Sequence, residues 1–176
     1  MAGILPDTFR VMRILTARLY SKENGNEICE ELHTEIDNVR KTEAVEMALY
    51  IGSSLHDRFP ITNNLKLDNQ GKLPEMYLDN TWRPSIHVIG TGLPEFKRSG
   101  DRTLTSTTMR LAIRIPPTMT LKRAERTIKE KLSVDTPYKC KLSISFEHQI
   151  ESWCVREIEP WLKIAIDLAG NDFFKG

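Results

Sequence analysis

Apolar residues recur every three or four positions in two stretches of the N-terminal half, and this spacing predicts two amphipathic helices. The first helix is predicted within residues 4–20, where Pro6 and Asp7 suit its opening turn. Its expected apolar face consists of Phe9, Met12, Leu15 and Leu19. The second helix is predicted over residues 42–58, with Thr42 as its N-terminal cap. Its expected apolar face consists of Ala44, Ala48, Ile51 and Leu55.

The segments on either side of the second helix are polar and carry turn-forming residues. Residues 21–39 include an Asn-Gly-Asn turn, so they predict an irregular connection. Pro60 is expected to end the helix. Residues 61–84 contain Pro74, a glycine and several asparagines, and they predict a long loop. Loops of that length are often functional or dock onto another domain.

Beyond Pro84 the apolar residues alternate with polar ones, which is the period of a half-buried strand. This alternation predicts three strands, over residues 85–89, 107–115 and 140–146. Glycines at positions 90 and 92 are expected to end the first strand.

Two further helices are predicted in the C-terminal half. One covers residues 121–132, with Thr120 as its cap and apolar residues at intervals of three and four. The last begins near Pro160. Its expected buried face consists of Trp161, Ile164, Ala165 and Leu168.

The predicted order is therefore α, α, long loop, β, β, α, β, α, which favours the α+β class. A small antiparallel or mixed sheet with helices packed on one face accommodates this order. Each predicted strand has one apolar and one polar side. One face of the sheet is consequently expected to be open to water or to a partner.

Composition excludes several functional classes. The 176 residues carry 25 lysines and arginines against 24 acidic residues, so the net charge of +1 provides no general attraction to nucleic acid or anionic membranes. The polar strand faces also lack the aromatic residues of a nucleic-acid stacking platform. No apolar stretch approaches the roughly 18 residues of a membrane helix. Three distant cysteines and the absence of a signal-peptide pattern predict a cytoplasmic protein.

Most candidate chemical groups in the sequence are isolated. The four histidines have no metal-ligand spacing, and the adjacent acids Glu30 and Glu31 are typical of a solvated surface. Cys140 is expected to be a small apolar side chain facing inward. Arg110 and Arg114 are more informative, because residues four apart on a strand share a face and lie about 13 Å from each other. Two guanidinium groups there could bind a carboxylate. Alternatively, they are solubilising charges opposite acidic neighbours, which exposed sheet faces usually carry.

The segment from residue 102 to residue 132 resembles part of the dizinc exopeptidase and deacylase family of carnosinase, aminoacylase, acetylornithine deacetylase and glutamate carboxypeptidase. The sequence Ala112-Ile113-Arg114-Ile115-Pro116-Pro117 is similar to the end of a strand that precedes a helix and another strand in that family. Residues 3–8, 80–84, 152–154 and 161–174 also resemble one branch of it. The similar segments agree in order and spacing over nearly the whole chain.

The resemblance implies a ferredoxin-like lid layer that is inserted into a larger catalytic domain and commonly dimerises. Residues 1–156 would form this lid and dimerisation domain, with a long insertion at about 21–84. Residues 157–176 would begin the return helix into the catalytic domain. The first lid strand would precede the chain, leaving a sheet edge that tends to recruit another strand.

The resemblance also implies which groups this chain would and would not contribute. Arg114 stands where the family places an arginine that binds the substrate carboxylate, and Thr103 is the nearest counterpart of a substrate-holding residue in the preceding loop. The zinc ligands and the general base of the family lie in segments outside these residues. The chain alone is therefore expected to have no catalytic residue, to bind no zinc pair and to be inactive.

Three functional interpretations follow. One of them, a ferredoxin-like nucleic-acid binder, is opposed by the balanced charge and by the lack of aromatic residues on the polar strand faces. The chain is expected to be the lid part of a homo-oligomeric, zinc-dependent exopeptidase or amidohydrolase that acts on peptides or N-acyl amino acids. The alternative is a stand-alone interaction module that derives from such a lid and has no catalytic activity.

Overall fold

The computed structural model describes residues 4–20, 28–52, 54, 71–93, 95, 100, 103–155 and 158–174. This part of the chain contains five α-helices and two strands, which agrees with the predicted α+β class. In chain order they are α1 (Thr8–Ala17), α2 (Asn38–Ile51), α3 (Leu73–Thr81), β1 (Ser85–Thr91), β2 (Met109–Arg114), α4 (Leu121–Ser133) and α5 (Pro160–Phe174). Two short 3₁₀ turns, Glu30–Leu32 and Pro137–Lys139, lie between them.

The first predicted helix is confirmed as α1. Its N-terminal cap is Asp7, whose carboxylate accepts a hydrogen bond of 3.1 Å from the backbone N–H of Arg10. Only the C-terminal part of the predicted apolar face is buried, at Leu15 and at Leu19 just beyond the helix. Phe9, near the start, is exposed. The helix therefore contacts the core through its last turn.

The second predicted helix exists as α2, but it starts four residues earlier than expected. Asp37 is its cap and accepts a 2.8 Å hydrogen bond from the backbone N–H of Arg40. Thr42 lies inside the helix, where its hydroxyl donates to the carbonyl of Asn38. Ala44 and Ala48 are buried as predicted. The predicted residues Leu55 and Pro60 lie outside the described residues.

The prediction of a long loop over residues 61–84 is wrong for its second half, which contains α3. Proline suits the first turn of a helix, where its missing N–H has no partner to lose, and Pro74 occupies that position. Leu78 is buried, and α3 packs against α2. Tertiary packing thus stabilises a helix in a segment with several turn-forming residues. Residues 61–70 lie outside the described part of the chain.

β1 and β2 form an antiparallel pair, in which Ser85 lies opposite Arg114 and His87 opposite Ala112. β1 does not end at Gly90 as predicted but continues to Thr91. The pairing shifts by one residue between Val88 and Gly90, which is a β-bulge. β2 lies within the predicted strand 107–115.

The predicted strand over residues 140–146 is wrong. This segment alternates between half-buried and exposed side chains as expected, and Phe146 packs against the core. It joins no ladder, so the sheet of the described residues has two strands. Lys139 before the segment and His148 after it have positive φ angles of 53° and 52°, and the chain changes direction at both. The alternation predicted which side chains of residues 140–146 are half-buried. It could not predict whether a neighbouring strand pairs with the backbone of this segment.

The core lies between one face of the sheet, α4, the end of α1 and the segment around the first 3₁₀ turn. The helix α4 is confirmed, with Thr120 as its cap and Ala124 and Ile128 buried. Leu111 and Ile113 of β2 pack against this cluster. The buried members are Leu19, Ile28, Cys29, Leu32, Ile86, Met119, Ala124 and Ile128.

The last predicted helix is confirmed as α5, but its predicted buried face is exposed. Trp161 is 68% exposed, and Ile164, Ala165 and Leu168 are exposed as well. The helix is rich in apolar residues, yet none of its described side chains is buried. No helix among the described residues is long and apolar enough to cross a membrane.

Candidate functional site

The side chain of Arg114 lies at the C-terminal end of α3. Its Nη1 donates a hydrogen bond of 2.8 Å to the carbonyl of Asn80, and its Nη2 donates to the carbonyl of Asp79. The last carbonyls of a helix have no partner within the helix, and they carry the negative end of its dipole. Arg114 therefore stabilises the end of α3 from the neighbouring strand, and the helix in turn fixes the position of the guanidinium.

A second arginine, Arg83, binds the side of the same helix. Its Nη1 lies 2.7 Å from Oδ1 of Asp79, and its Nη2 lies 2.6 Å from Oε2 of Glu75. Partial burial acts to lower the pKa of Arg83, but the hydrogen bonds to Asp79 and Glu75 outweigh it, so its pKa lies above the ordinary value. This arginine is paired with two carboxylates and joins α3 to the start of β1.

A third arginine, Arg40 of α2, contacts Trp82, the residue that follows α3. Its Nη1 donates to both carboxylate oxygens of Glu43, at 2.9 and 2.8 Å, and its Nη2 donates to the carbonyl of Val155. Its Cζ atom lies 5.3 Å from the ring centroid of Trp82, within the range of a cation–π contact. The hydrogen bond to Glu43 raises the pKa of Arg40.

The three arginines differ in the charge of their partners. Arg40 and Arg83 are each paired with carboxylates, whereas Arg114 makes no ion pair with any carboxylate of the described residues. Arg114 is exposed, and two of its five N–H groups are used by the carbonyls of α3. Its positive charge and its remaining donors are available to an anion from solution.

The open face of the sheet, which carries Ser85, His87, Arg110, Ala112 and Arg114, is turned away from the core. Directly opposite residues of an antiparallel pair share a face, and so do residues two apart on one strand. The other face carries Ile86, Leu111 and Ile113, which contact the core. The structure thus agrees with the prediction that Arg110 and Arg114 project from the same side.

Thr103, the second predicted site residue, is exposed in the segment that precedes β2. It comes before the N-terminal end of the strand, whereas Arg114 is the strand's last residue. Within the described part of the chain, no hydrogen bond joins the two side chains. The structure therefore positions Arg114 through α3 and shows no comparable partner for the Thr103 hydroxyl among the described residues.

The described residues do not form a metal site. No three side chains of histidine, cysteine, aspartate or glutamate among them come together as ligands. Glu31 instead accepts a hydrogen bond from Lys131 at 2.7 Å, which lowers its pKa. Cys29 is buried, and burial raises the pKa of its thiol. Cys140 is half-buried.

Sequence reasoning missed Arg83 and its two acidic partners, because it assigned them to a loop. Glu75, Asp79 and Arg83 are spaced by four residues, which is the spacing of neighbours on one side of a helix. That charge pattern, together with Pro74 in the first turn, was the available indication of α3.

A scan against protein-family models finds no match to this chain, and a search of the curated proteins finds no similar sequence. The resemblance to dizinc hydrolases therefore rests on short segments such as residues 112–117.

Proposed function

We propose that this chain is the lid and dimerisation part of a zinc-dependent exopeptidase or amidohydrolase that acts on peptides or N-acyl amino acids. Its proposed task is to bind the carboxylate of the substrate through Arg114 and to cover the reacting amide when the lid closes. Exclusion of water and orientation of the amide are the usual contributions of such a lid.

The proposal rests on the hydrogen bonds of the Arg114 guanidinium and on its lack of a carboxylate partner among the described residues. Its guanidinium is held by two backbone carbonyls, so its orientation is defined before any ligand binds. The carbonyls are neutral, and the charge of Arg114 remains available for a substrate carboxylate. A preorganised arginine with free N–H groups is suited to recognition of a carboxylate.

The helix α5 supports a larger assembly around this chain. Lys163, Asp167 and Asn171 form a polar stripe along α5, and most of its other residues are apolar. An apolar helix surface of this kind is ordinarily buried against another element. Trp161 and Phe173, near opposite ends of α5, are 68% and 82% exposed. We propose that α5 packs into a catalytic domain of the same polypeptide. Val88 and Ile89 of β1 are also exposed, and they would suit contacts between copies of the lid.

The described residues of this chain do not fit a zinc pair, because they bring no set of three metal-ligating side chains together. The ligands would have to come from other residues of the enzyme. This chain would contribute a fixed cation and an apolar covering surface.

The test uses the protein encoded by the complete reading frame around these residues. Initial rates are measured with N-acyl amino acids and dipeptides, and with the same compounds as C-terminal amides. We expect hydrolysis that prefers the free carboxylate, and we expect Arg114→Met to lower kcat/KM for the acids about 10- to 100-fold, because hydrogen bonds to charged groups are among the strong ones. The amides are expected to lose much less.

Arg123→Met is the matched control, because Arg123 is an exposed arginine on α4 and has no role in the proposed site. Absence of hydrolysis from the complete protein would contradict the proposed activity. An unchanged ratio between acids and amides in the Arg114 variant would contradict the role of Arg114. A complete protein without hydrolase activity that self-associates through this domain would instead favour the interaction module.

A further inference from the structure

We propose that Arg110 and His87, on the open face of the sheet, form a second carboxylate-binding subsite beside Arg114. This inference rests on the proposed function and deepens it: the substrates would carry two acidic groups. One carboxylate would bind Arg114 and the other would bind Arg110.

The register of the strands brings the two groups of this subsite to one face. His87 lies opposite Ala112, which is the residue midway between Arg110 and Arg114 on β2. Ala112 has a small side chain, so no long side chain separates Arg110 from Arg114 on this face. His87 lies beside Ala112 on the neighbouring strand. His87 is exposed and offers ring nitrogens that donate or accept hydrogen bonds.

The β-bulge leaves room above Arg110. A regular register after the pair of Val88 and Leu111 would put Ile89 opposite Arg110. The observed shift instead puts Gly90 there. A Cβ atom on Gly90 would lie 3.6 Å from the Cβ of Arg110, so a larger side chain at this position would stand directly beside the arginine. Bulges often occur next to active sites, where they change the direction of side chains.

The present partner of Arg110 is weakly held. Nη2 of Arg110 lies 3.0 Å from Oε2 of Glu147, and the two side chains are 65% and 55% exposed. Exposed ion pairs of this kind contribute little, because water screens them. This contact uses Nη2 alone, so Nε and Nη1 remain for a second acceptor. A ligand carboxylate can therefore bind Arg110 beside Glu147, or displace Glu147 from it.

The spacing of the arginines favours a ligand with two acidic groups. The Cα atoms of Arg110 and Arg114 are four residues apart on a strand, or about 13 Å. A single carboxylate can engage only one of the guanidinium groups closely. A compound whose carboxylates are separated by several bonds can engage both arginines from solution.

The experiment is an NMR titration of the 176-residue chain with glutarate, which has two carboxylates, and with its monoamide glutaramate as the matched ligand. The arginine Nε–H and histidine ring resonances are followed. We expect saturable shifts of Arg110, Arg114 and His87 with glutarate, and weaker binding of glutaramate. Arg110→Met should weaken glutarate binding about tenfold or more, and Glu147→Gln should strengthen it.

Two further variants make the test specific. Gly90→Val places a side chain beside Arg110 without removing any charge, and it should weaken glutarate binding as well. Arg123→Met removes an arginine from α4 and should leave binding unchanged. Equal affinity for glutarate and glutaramate, or wild-type binding in both the Arg110→Met and the Gly90→Val chains, would overturn the subsite.

The titration involves no hydrolysis, so its result is independent of the activity test. Arg110-dependent binding of glutarate in a protein without hydrolase activity would refute the proposed enzyme and keep the anion site. An active enzyme whose lid binds glutarate and glutaramate equally would refute the subsite and keep the enzyme.

Discussion

Among the described residues, the C-terminal ends of two helices each bind an arginine from another part of the chain, and the two arginines are bound differently. Arg18 follows α1 and donates hydrogen bonds to four carbonyls at the end of α4, those of Lys131, Leu132, Val134 and Asp135. Arg114 donates to two carbonyls at the end of α3. Arg18 is half-buried next to the core residue Leu19, whereas Arg114 is exposed on the open face of the sheet.

The comparison separates a structural arginine from one that can bind a ligand. Both side chains stabilise a helix terminus by the same interaction, a cation with unpaired carbonyls. Arg18 is half-buried, and its Nη1 and Nη2 together donate to four carbonyls, so two of its five N–H groups remain. Arg114 keeps three N–H groups and faces water. Both arginines lie at a helix end, so residue type and position do not distinguish them. What differs is how many of their N–H groups already donate to carbonyls and how far each side chain is exposed to solvent.

The largest expected effect is that of Arg18→Ala on stability. The substitution removes a cation from four carbonyls at the edge of the core, so we expect the free energy of unfolding to fall by about 2 kcal/mol. Urea denaturation followed by circular dichroism measures this change. Arg13→Ala, at an exposed position of α1 five residues earlier, should change it by less than about 0.5 kcal/mol. Equal losses in the two variants would contradict the structural role of Arg18.

Arg114→Ala should have a smaller effect on stability. Its two carbonyl partners are exposed to water once the side chain is removed, and a cation at an exposed helix terminus contributes about 0.3–1 kcal/mol. We therefore expect a loss below about 1 kcal/mol in the same urea experiment. A loss as large as that of Arg18→Ala would show that Arg114 is mainly structural, and it would weaken the argument for a ligand at this position.

The contrast between the two arginines could be predicted from the sequence only in part. The period of two over β2 predicts that Arg110 and Arg114 share a face, because that property is local. The partner of Arg114 could not be predicted, because α3 lies about 34 residues earlier in the chain and was assigned to a loop. The asparagines of residues 61–84 favour a turn locally, and the packing of Leu78 outweighs them.

Other differences between prediction and structure have the same origin. The helical periods of α1 and α4 and the Thr120 cap of α4 are local features, and they were predicted correctly. Alternation over residues 140–146 predicted which side chains are half-buried, but a strand also needs a neighbour with free hydrogen-bonding groups. The apolar residues of α5 predicted a helix and a buried face. A periodic pattern does not say which surface covers such a face.

The smallest expected effect concerns the charge pair beside the Arg18 cap. Glu31 accepts a hydrogen bond from Lys131, the residue whose carbonyl binds Arg18, and this contact lowers the pKa of Glu31. A carboxyl group with a lower pKa in the folded state stabilises the protein above its unfolded pKa, near 4.3, and this contribution is lost as the pH falls through the folded pKa. Glu31 is 56% exposed, so we expect Glu31→Gln to cost only about 0.5 kcal/mol at pH 7. The difference from the wild-type chain, measured by urea denaturation at several pH values, should shrink below about pH 4.5 as wild-type Glu31 takes up its proton.

Glu30→Gln removes the same charge one residue earlier and leaves the contact with Lys131 in place, so it serves as the control. A difference that stays constant down to pH 3 would show that the charge of Glu31 does not cause the loss. A difference as large as that of Arg18→Ala would show that this charge pair, rather than the carbonyl cap, holds the end of α4.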